Sequence, residues 1–540
     1  MQEFDYIIVG AGSAGCVLAN RLTEDGKHTV LLLEAGGSDR WNPWIQMPIG
    51  YGKAFYDRRI NWMYQTEPVP GLGGLSSYWP RGKVLGGSSA INAMVYARGH
   101  PRDFDDWAEA GATGWGWVDV EPYYRKMEDW SGPPSPERGQ GGPLHVQTIE
   151  DQVHLLCDSY LGAARQMGLP LTDDYNSGHY EGAAIYQITT KGGVRASTAR
   201  AYLRPASRRW NLKVQTGAHA TGVILKEGRA KGVRYRLGGQ DHEAFARGEV
   251  ILSGGAINSP QLLQLSGIGP GTLLAENGID VAHDLPAVGQ HMQDHVGINF
   301  HYRINRPSLN QVLRPWWGRL RVGLQYVVSL TGPLSLSINQ AGGFVRTRDD
   351  LTAPNLQLYF SPVSYTHAPP GKRPMMMPDP FKGMLIGWNS CRPTSRGWLG
   401  IQSPDPLAPP SIQPNYFSTN HDKAEAIEGA RFIRTLASQP ALADVIEEEL
   451  AESAMLHSDE EIAGYIRDRA WTVFHPCATC RMGQDAALSV TDPRLRVHGV
   501  AGLRVVDASA FPNVTTGNTN APVIMLAEKA ADMIRADAKG

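Results

Sequence analysis

The sequence predicts an α/β protein of more than one structural unit, opening on a strand–helix–strand of the parallel kind. Three observations predict it. The chain has 540 residues, more than one hydrophobic core usually serves. Hydrophobic residues make up 42% and charged residues 19%, the balance of an ordinary globular chain rather than a disordered one. The N-terminal stretch carries an apolar run, a glycine cluster, a helical repeat and a second apolar run, in that order.

Taken in order, residues 4–9 (FDYIIV) form a short apolar, β-branched and aromatic run that reads as a buried strand. Gly10-Ala11-Gly12-Ser13-Ala14-Gly15 follows, a G-x-G-x-x-G. Ala14, Val17, Leu18 and Leu22 then repeat at helical spacing, and the second strand, 28–33, ends at Glu34. Each part has a physical job. Gly10 permits a tight turn, Gly12 lets backbone approach a pyrophosphate, and Gly15 lets helix and strand pack closely. The helix N-terminus offers free N–H groups and a positive dipole end to the phosphates. Glu34 stands where it can accept hydrogen bonds from an adenosine ribose. The arrangement predicts a dinucleotide site of the Rossmann type and leaves FAD and NAD both open.

Composition excludes other classes. The 51 basic and 53 acidic residues nearly cancel, giving a net charge of −2 and no electrostatic case for nucleic acid. No apolar run is long enough to span a bilayer, and no basic-then-apolar leader opens the chain, so a cytoplasmic protein is expected. Five cysteines make no disulfide framework. Cys477 and Cys480 form a C-x-x-C, which suggests a redox pair or half a zinc site. No second pair or histidine cluster completes it, so both read as buried thiols and no metal is expected.

Two internal stretches add to the N-terminal motif. Gly82-Lys83-Val84-Leu85-Gly86-Gly87-Ser88-Ser89-Ala90-Ile91-Asn92 is a glycine–serine loop where backbone can press against a flat ligand. Gly255-Ala256-Ile257-Asn258-Ser259-Pro260-Gln261-Leu262-Leu263 follows the strand-like 249–252 and runs into Ser266-Gly267-Ile268-Gly269. Pro260 suits a first helical turn and Gly267 a helix C-terminal cap. Both stretches resemble the two signature patterns of the glucose–methanol–choline (GMC) oxidoreductases, and Phe474-His475-Pro476 through Asn520 resembles a third region of that family. The resemblance runs from residue 5 to about residue 534, and within the family it points to bacterial choline dehydrogenases and quinone-linked alcohol dehydrogenases.

The resemblance implies a two-domain FAD enzyme that oxidises alcohols. It implies a Rossmann-like FAD-binding domain from 1–147, 194–299 and 471–540, and a substrate domain from 148–193 and 300–470 with an antiparallel sheet flanked by helices. Residues 356–360, 384–388 and 398–402 read as strands of that sheet. The cofactor contacts it implies are Gly10, Gly12, Ser13, Ala14, Gly15, Glu34, Ala35, Trp62, Arg81, Gly82, Val84, Gly87, Ser88, Asn92, Ala93, Met94, Val95, Ala220, Asp507, Ala508, Asn518, Thr519 and Asn520. Where some relatives carry a histidine bonded to the flavin, this chain has Ile91, so the FAD is expected to be non-covalent. The catalytic pair implied is His475 and Asn518.

That pair fits the chemistry. Alcohol oxidation removes a proton from the hydroxyl and a hydride from the carbon. Histidine accepts protons near neutral pH, and an asparagine amide can hold the developing alkoxide. Asn520 is expected as N-cap of a helix through Val523, Leu526, Ala527, Ala530 and Ile534, with Pro522 in its first turn. On the substrate side the resemblance points to Gln340, where choline-handling relatives place a glutamate, and to Tyr359. An uncharged Gln340 argues against choline as best substrate. Residues 314–324 mix arginines with Trp316, Trp317, Leu320 and Leu324, and suit either a membrane surface, where a quinone acceptor would be met, or a lid helix. Residues 367–381, rich in Pro and Met, read as a mobile loop near the entrance. An O₂-using oxidase and a non-redox cyanohydrin lyase stay as alternatives to the dehydrogenase.

Overall fold

The computed structural model describes residues 2–365 and 377–539. The expected loop at 367–381 therefore lies, up to residue 376, outside the described residues. Two seven-stranded sheets carry the molecule.

The first sheet has the order Leu212–Thr216, Val30–Glu34, Gln2–Val9, Gln240–Leu252, Arg229–Leu237, Ala218–Lys226, with Leu503–Val505 paired to the far end of Gln240–Leu252. Its first four strands and Leu503–Val505 run parallel. Val30–Glu34 is buried along its whole length, as a strand covered on both faces must be. The helices Ser13–Thr23 and Asn520–Asp537 pack together on one face, where their apolar sides join one core. The other two strands extend this sheet as antiparallel hairpins.

The second sheet is antiparallel throughout, in the order Ile446–Glu449, Val296–Ile304, Gly383–Ser390, Leu356–Ser361, Ala341–Val345, Gly182–Ile185. Helix Asn420–Ala437 covers it, close enough that Trp388 Nε1 donates to the Ala426 carbonyl at 3.3 Å. The strand Val296–Ile304 passes straight through the expected boundary at 299, and Trp471–Thr472 pairs with it rather than with the parallel sheet.

Three expectations are corrected. Trp398–Gly400 is a strand, but it pairs with Ser411–Gln413 in a separate two-stranded ribbon rather than with the large sheet. Pro260 lies inside helix Gly255–Leu265 rather than in its first turn. Its missing N–H frees the Ala256 carbonyl, and the Thr479 hydroxyl donates to that carbonyl at 2.7 Å. The last helix starts at Asn520 with Thr519 as N-cap, because the Asn520 side chain accepts from Ser13 Oγ at 2.8 Å instead of capping its own helix.

Candidate active site

A long cavity lies between the two sheets. Val9, Gly10 and Glu34 line one end; Tyr359, His475 and Asn518 line the other.

The first end is shaped by glycine. Gly10 has φ +100°, and a Cβ there would stand 2.5 Å from the Ser253 carbonyl oxygen. Gly87 has φ +52°, and its Cβ would stand 2.7 Å from Gly12 Cα, so the two loops meet backbone to backbone. Helix Ser13–Thr23 has no side-chain cap, which leaves its first N–H groups free for an anion. Glu34 Oε2 accepts from the Ala11 N–H at 2.9 Å and Oε1 from the Gly36 N–H at 2.8 Å. A carboxylate has about four lone-pair positions, so two stay available for a ribose diol. Burial raises the Glu34 carboxyl to about 7, and the two backbone donors oppose that rise. Asp507 is buried and fully engaged: Oδ2 accepts from Gly255 N and Ser259 Oγ, and Oδ1 from Ser509 N and Oγ. It thereby locks Ala508 and the start of helix Gly255–Leu265 against the cavity. A glycine-cut cradle, a free helix N-terminus and a half-satisfied carboxylate fit the adenosine diphosphate half of FAD.

The other end is built on one loop. Phe474 and Ala478, on either side of His475, have φ of 71° and 68°, a region non-glycine residues seldom occupy. Asp294 holds the turn: Oδ1 accepts from His475 N at 2.7 Å, while Oδ2 accepts from Tyr416 Oη at 2.5 Å and Thr472 Oγ1 at 2.6 Å. Burial pushes the Asp294 carboxyl up to about 6, against these hydrogen bonds. Arg81 Nη2 donates to the Phe474 carbonyl at 2.6 Å.

The imidazoles form a directed chain. His295 Nε2 lies 3.1 Å from the Cys391 carbonyl, and a carbonyl only accepts, so Nε2 carries the proton. Burial lowers His295 to about 4, so it is neutral and its Nδ1 is a lone pair. That lone pair lies 2.9 Å from His475 Nδ1, which must therefore be N–H. His475 is itself held well below its ordinary value, first by burial and then by the neighbouring His295 and Arg81. A neutral His475 with Nδ1–H has its Nε2 lone pair exposed to the cavity. Asn518 Nδ2, a donor only, lies 3.2 Å from it. Asn518 Oδ1 accepts from Gln357 Nε2 at 3.2 Å, and Gln357 Oε1 from Tyr359 Oη at 2.8 Å. Every donor in the chain meets an acceptor.

Most of the expected cofactor residues line this one cavity: Gly10, Gly12, Ser13, Ala14, Glu34, Ala35, Trp62, Arg81, Gly82, Gly87, Ser88, Asn92, Ala93, Met94, Val95, Ala220, Asp507, Ala508, Asn518, Thr519 and Asn520. Gly15 and Val84 do not. A Cβ on Gly15 would stand 1.9 Å from the Gly10 carbonyl oxygen, so its part is helix-to-strand packing. Val84 is fully buried and bridges Gly37. Gln340 is a correction: its side chain faces away from the cavity, and Oε1 accepts from His154 N at 2.8 Å. Its neighbour Asn339 lines the wall instead, with Tyr359. The only carboxylates among the described lining residues are Glu34 and Asp507, at the nucleotide end.

Asp294, His295 and Gln357 were not anticipated. The sequence held one signal, a polar Gln293-Asp294-His295 run directly before the apolar strand Val296–Ile304. Cys477 and Cys480 are buried free thiols, pushed up by burial. No helix among the described residues is long and apolar enough to cross a membrane. Helix Trp316–Ser329, expected as a possible lid, gives no residue to the cavity wall.

The GMC oxidoreductase N-terminal family model matches residues 4–297, and the C-terminal model residues 393–527. The chain belongs to the GMC oxidoreductase family. Choline dehydrogenase, mitochondrial, of Homo sapiens is 43% identical to this GMC oxidoreductase over 542 residues, covering 99% of this chain and 90% of the relative. The alcohol dehydrogenase [acceptor] of Pseudomonas putida is 41% identical over 541 residues, covering 98% and 95%. Among solved structures, pyridoxine 4-oxidase from Mesorbium loti superposes with a TM-score of 0.88 at 31% identity, covering 98% of each chain. A formate oxidase of Aspergillus oryzae RIB40, studied for its FAD modification, superposes with a TM-score of 0.91 at 30% identity, covering 100% of this chain and 99% of that one. GMC oxidoreductases are FAD-binding flavoproteins, and the cradle described above fits that cofactor.

Proposed function

We propose that this GMC oxidoreductase oxidises an uncharged alcohol to an aldehyde or ketone, with His475 as proton acceptor and Asn518 as hydrogen-bonding partner. The observation that carries it is the unprotonated Nε2 of His475 beside the Asn518 amide, at the end of a chain of donors that fixes its tautomer. An alcohol hydroxyl between these two groups gives its proton to Nε2 and takes an N–H from Asn518 as its oxygen becomes negative. FAD, bound without a covalent link, supplies the acceptor for the carbinol hydride. Arg81, whose charge is felt at His475, favours the alkoxide for the same reason that it disfavours a protonated imidazole.

The same charge, and the lack of a carboxylate among the described residues lining this end, argue against a quaternary ammonium substrate. Trp388, Tyr365 and Leu385 suit an apolar alcohol instead. The electrons then pass to a quinone or another carrier that is not O₂, met at a membrane surface. A second reading, O₂ as acceptor, draws on relatives named oxygen-dependent choline dehydrogenase, such as that of Burkholderia multivorans at 44% identity.

The test is an alcohol panel, choline included, with an artificial acceptor and with O₂. We expect dye reduction by uncharged alcohols with little H₂O₂. Choline outperforming every neutral alcohol in kcat/KM would overturn the substrate reading. H₂O₂ matching carbonyl product would overturn the acceptor reading. In the His475→Ala variant we expect turnover to fall by about 10²- to 10⁴-fold with FAD retained.

A further inference from the structure

Helix Trp316–Ser329 is built inside out for a surface helix. Gly318, Val322 and Tyr326 are its buried positions. Trp316, Trp317, Leu320, Leu324, Val327 and Val328 all face outward, Trp316 at 71% exposure and Val328 at 84%. At about 100° per residue those six fall within one arc of roughly 120°, opposite the buried three. Arg321 borders that arc on one side, and Arg319 lies about 60° beyond its other edge. Both are exposed, and neither makes an ion pair among the described residues. From residue 296 to residue 348 the sequence contains no acidic residue. Soluble proteins rarely expose an apolar stripe of this extent.

We infer that this helix lies in the interface of an anionic lipid leaflet, its tryptophans and leucines among the acyl-chain ends and its two arginines on the lipid phosphates. The charge pattern selects this occupant: an apolar arc flanked by unpaired arginines on an acid-free segment complements anionic headgroups over apolar chains. Tryptophan is the side chain that favours that boundary. The buried face of the helix, opposite the docked arc, leads toward the active site. Tyr326 Oη donates to the Gly193 carbonyl at 3.0 Å, and Arg195, two residues on, donates from Nη1 to both oxygens of the cavity-lining Asn92. The inference rests on the reading of a lipid-borne electron acceptor and gives it a place on the fold.

The test is flotation of the FAD-loaded full chain with vesicles of phosphatidylcholine alone or mixed with phosphatidylglycerol. The expected result is binding to the mixed vesicles, weakened by salt, and little binding to phosphatidylcholine alone. Each buried CH₂ is worth roughly a factor of four, so Leu320→Glu with Leu324→Glu should weaken binding by well over about tenfold. Arg319→Gln with Arg321→Gln should weaken it by about fivefold per charge and flatten the salt dependence. Both variants should keep wild-type turnover of alcohol with a soluble dye. That assay also separates the two readings, because dye turnover can fail while vesicle binding holds. The inference is overturned if the wild type stays with the aqueous fraction, or if the double glutamate variant floats like wild type. It is equally overturned if sedimentation shows a dimer that the glutamates split, without vesicle binding.

Discussion

His295 touches neither substrate nor cofactor in this arrangement, yet it decides which nitrogen of His475 is a base. Replacing it by leucine leaves the buried Nδ1–H of His475 without an acceptor. An unsatisfied buried donor costs about 1–3 kcal/mol. The ring escapes that cost by moving its proton to Nε2, where it meets the Asn518 amide 3.2 Å away, another donor, and where it removes the lone pair that takes the alcohol proton. The competent tautomer is then depleted by about 5- to 150-fold. Anaerobic stopped-flow bleaching of the flavin by saturating alcohol should slow by that factor in His295→Leu, with FAD content unchanged. His295→Gln keeps one acceptor and one donor and should recover most of the rate. Equal damage in both variants, or none in His295→Leu, would refute the tautomer argument.

Three further outcomes are expected. Gly87→Ala forces a Cβ toward Gly12 Cα at a positive φ, and the purified variant should have lost most of its FAD, read as the ratio of flavin to protein absorbance. Acid precipitation of the wild type should leave the yellow colour in the supernatant, because Ile91 offers no nucleophile to the flavin. The His295 value is lowered from 6.5 to about 4, so its contribution is present above pH 6.5 and lost as pH falls toward 4. The stability of wild type minus that of His295→Gln should therefore fall by about 3 kcal/mol over that window, measured by urea unfolding.

What the sequence revealed depended on how local each device is. The phosphate cradle was legible because Gly10, Gly12 and Gly15 act within a few residues of one another. His475 and Asn518 were reached only through resemblance, since nothing near either one distinguishes it from other residues of its kind. His295 escaped because its role comes from a contact 180 residues away. Gln340 went wrong by a single position: consecutive residues of an extended chain face opposite ways, so the cavity has Asn339 and the far side has Gln340. Trp398–Gly400 was seen as a strand, but local pattern does not say which partner a strand pairs with.

Ser13 meets Asn520, and Arg21 meets Glu528, each across 507 residues. The nucleotide half of the cradle leaves the ribosome early, while the helix that closes it emerges 507 residues later. Chains begin to fold from their N-terminus during synthesis. For most of its synthesis this chain must then hold a half-built, apolar groove without its lid. Tight cofactor capture becomes a late event, so a chain truncated or stalled before Asn520–Asp537 would be colourless.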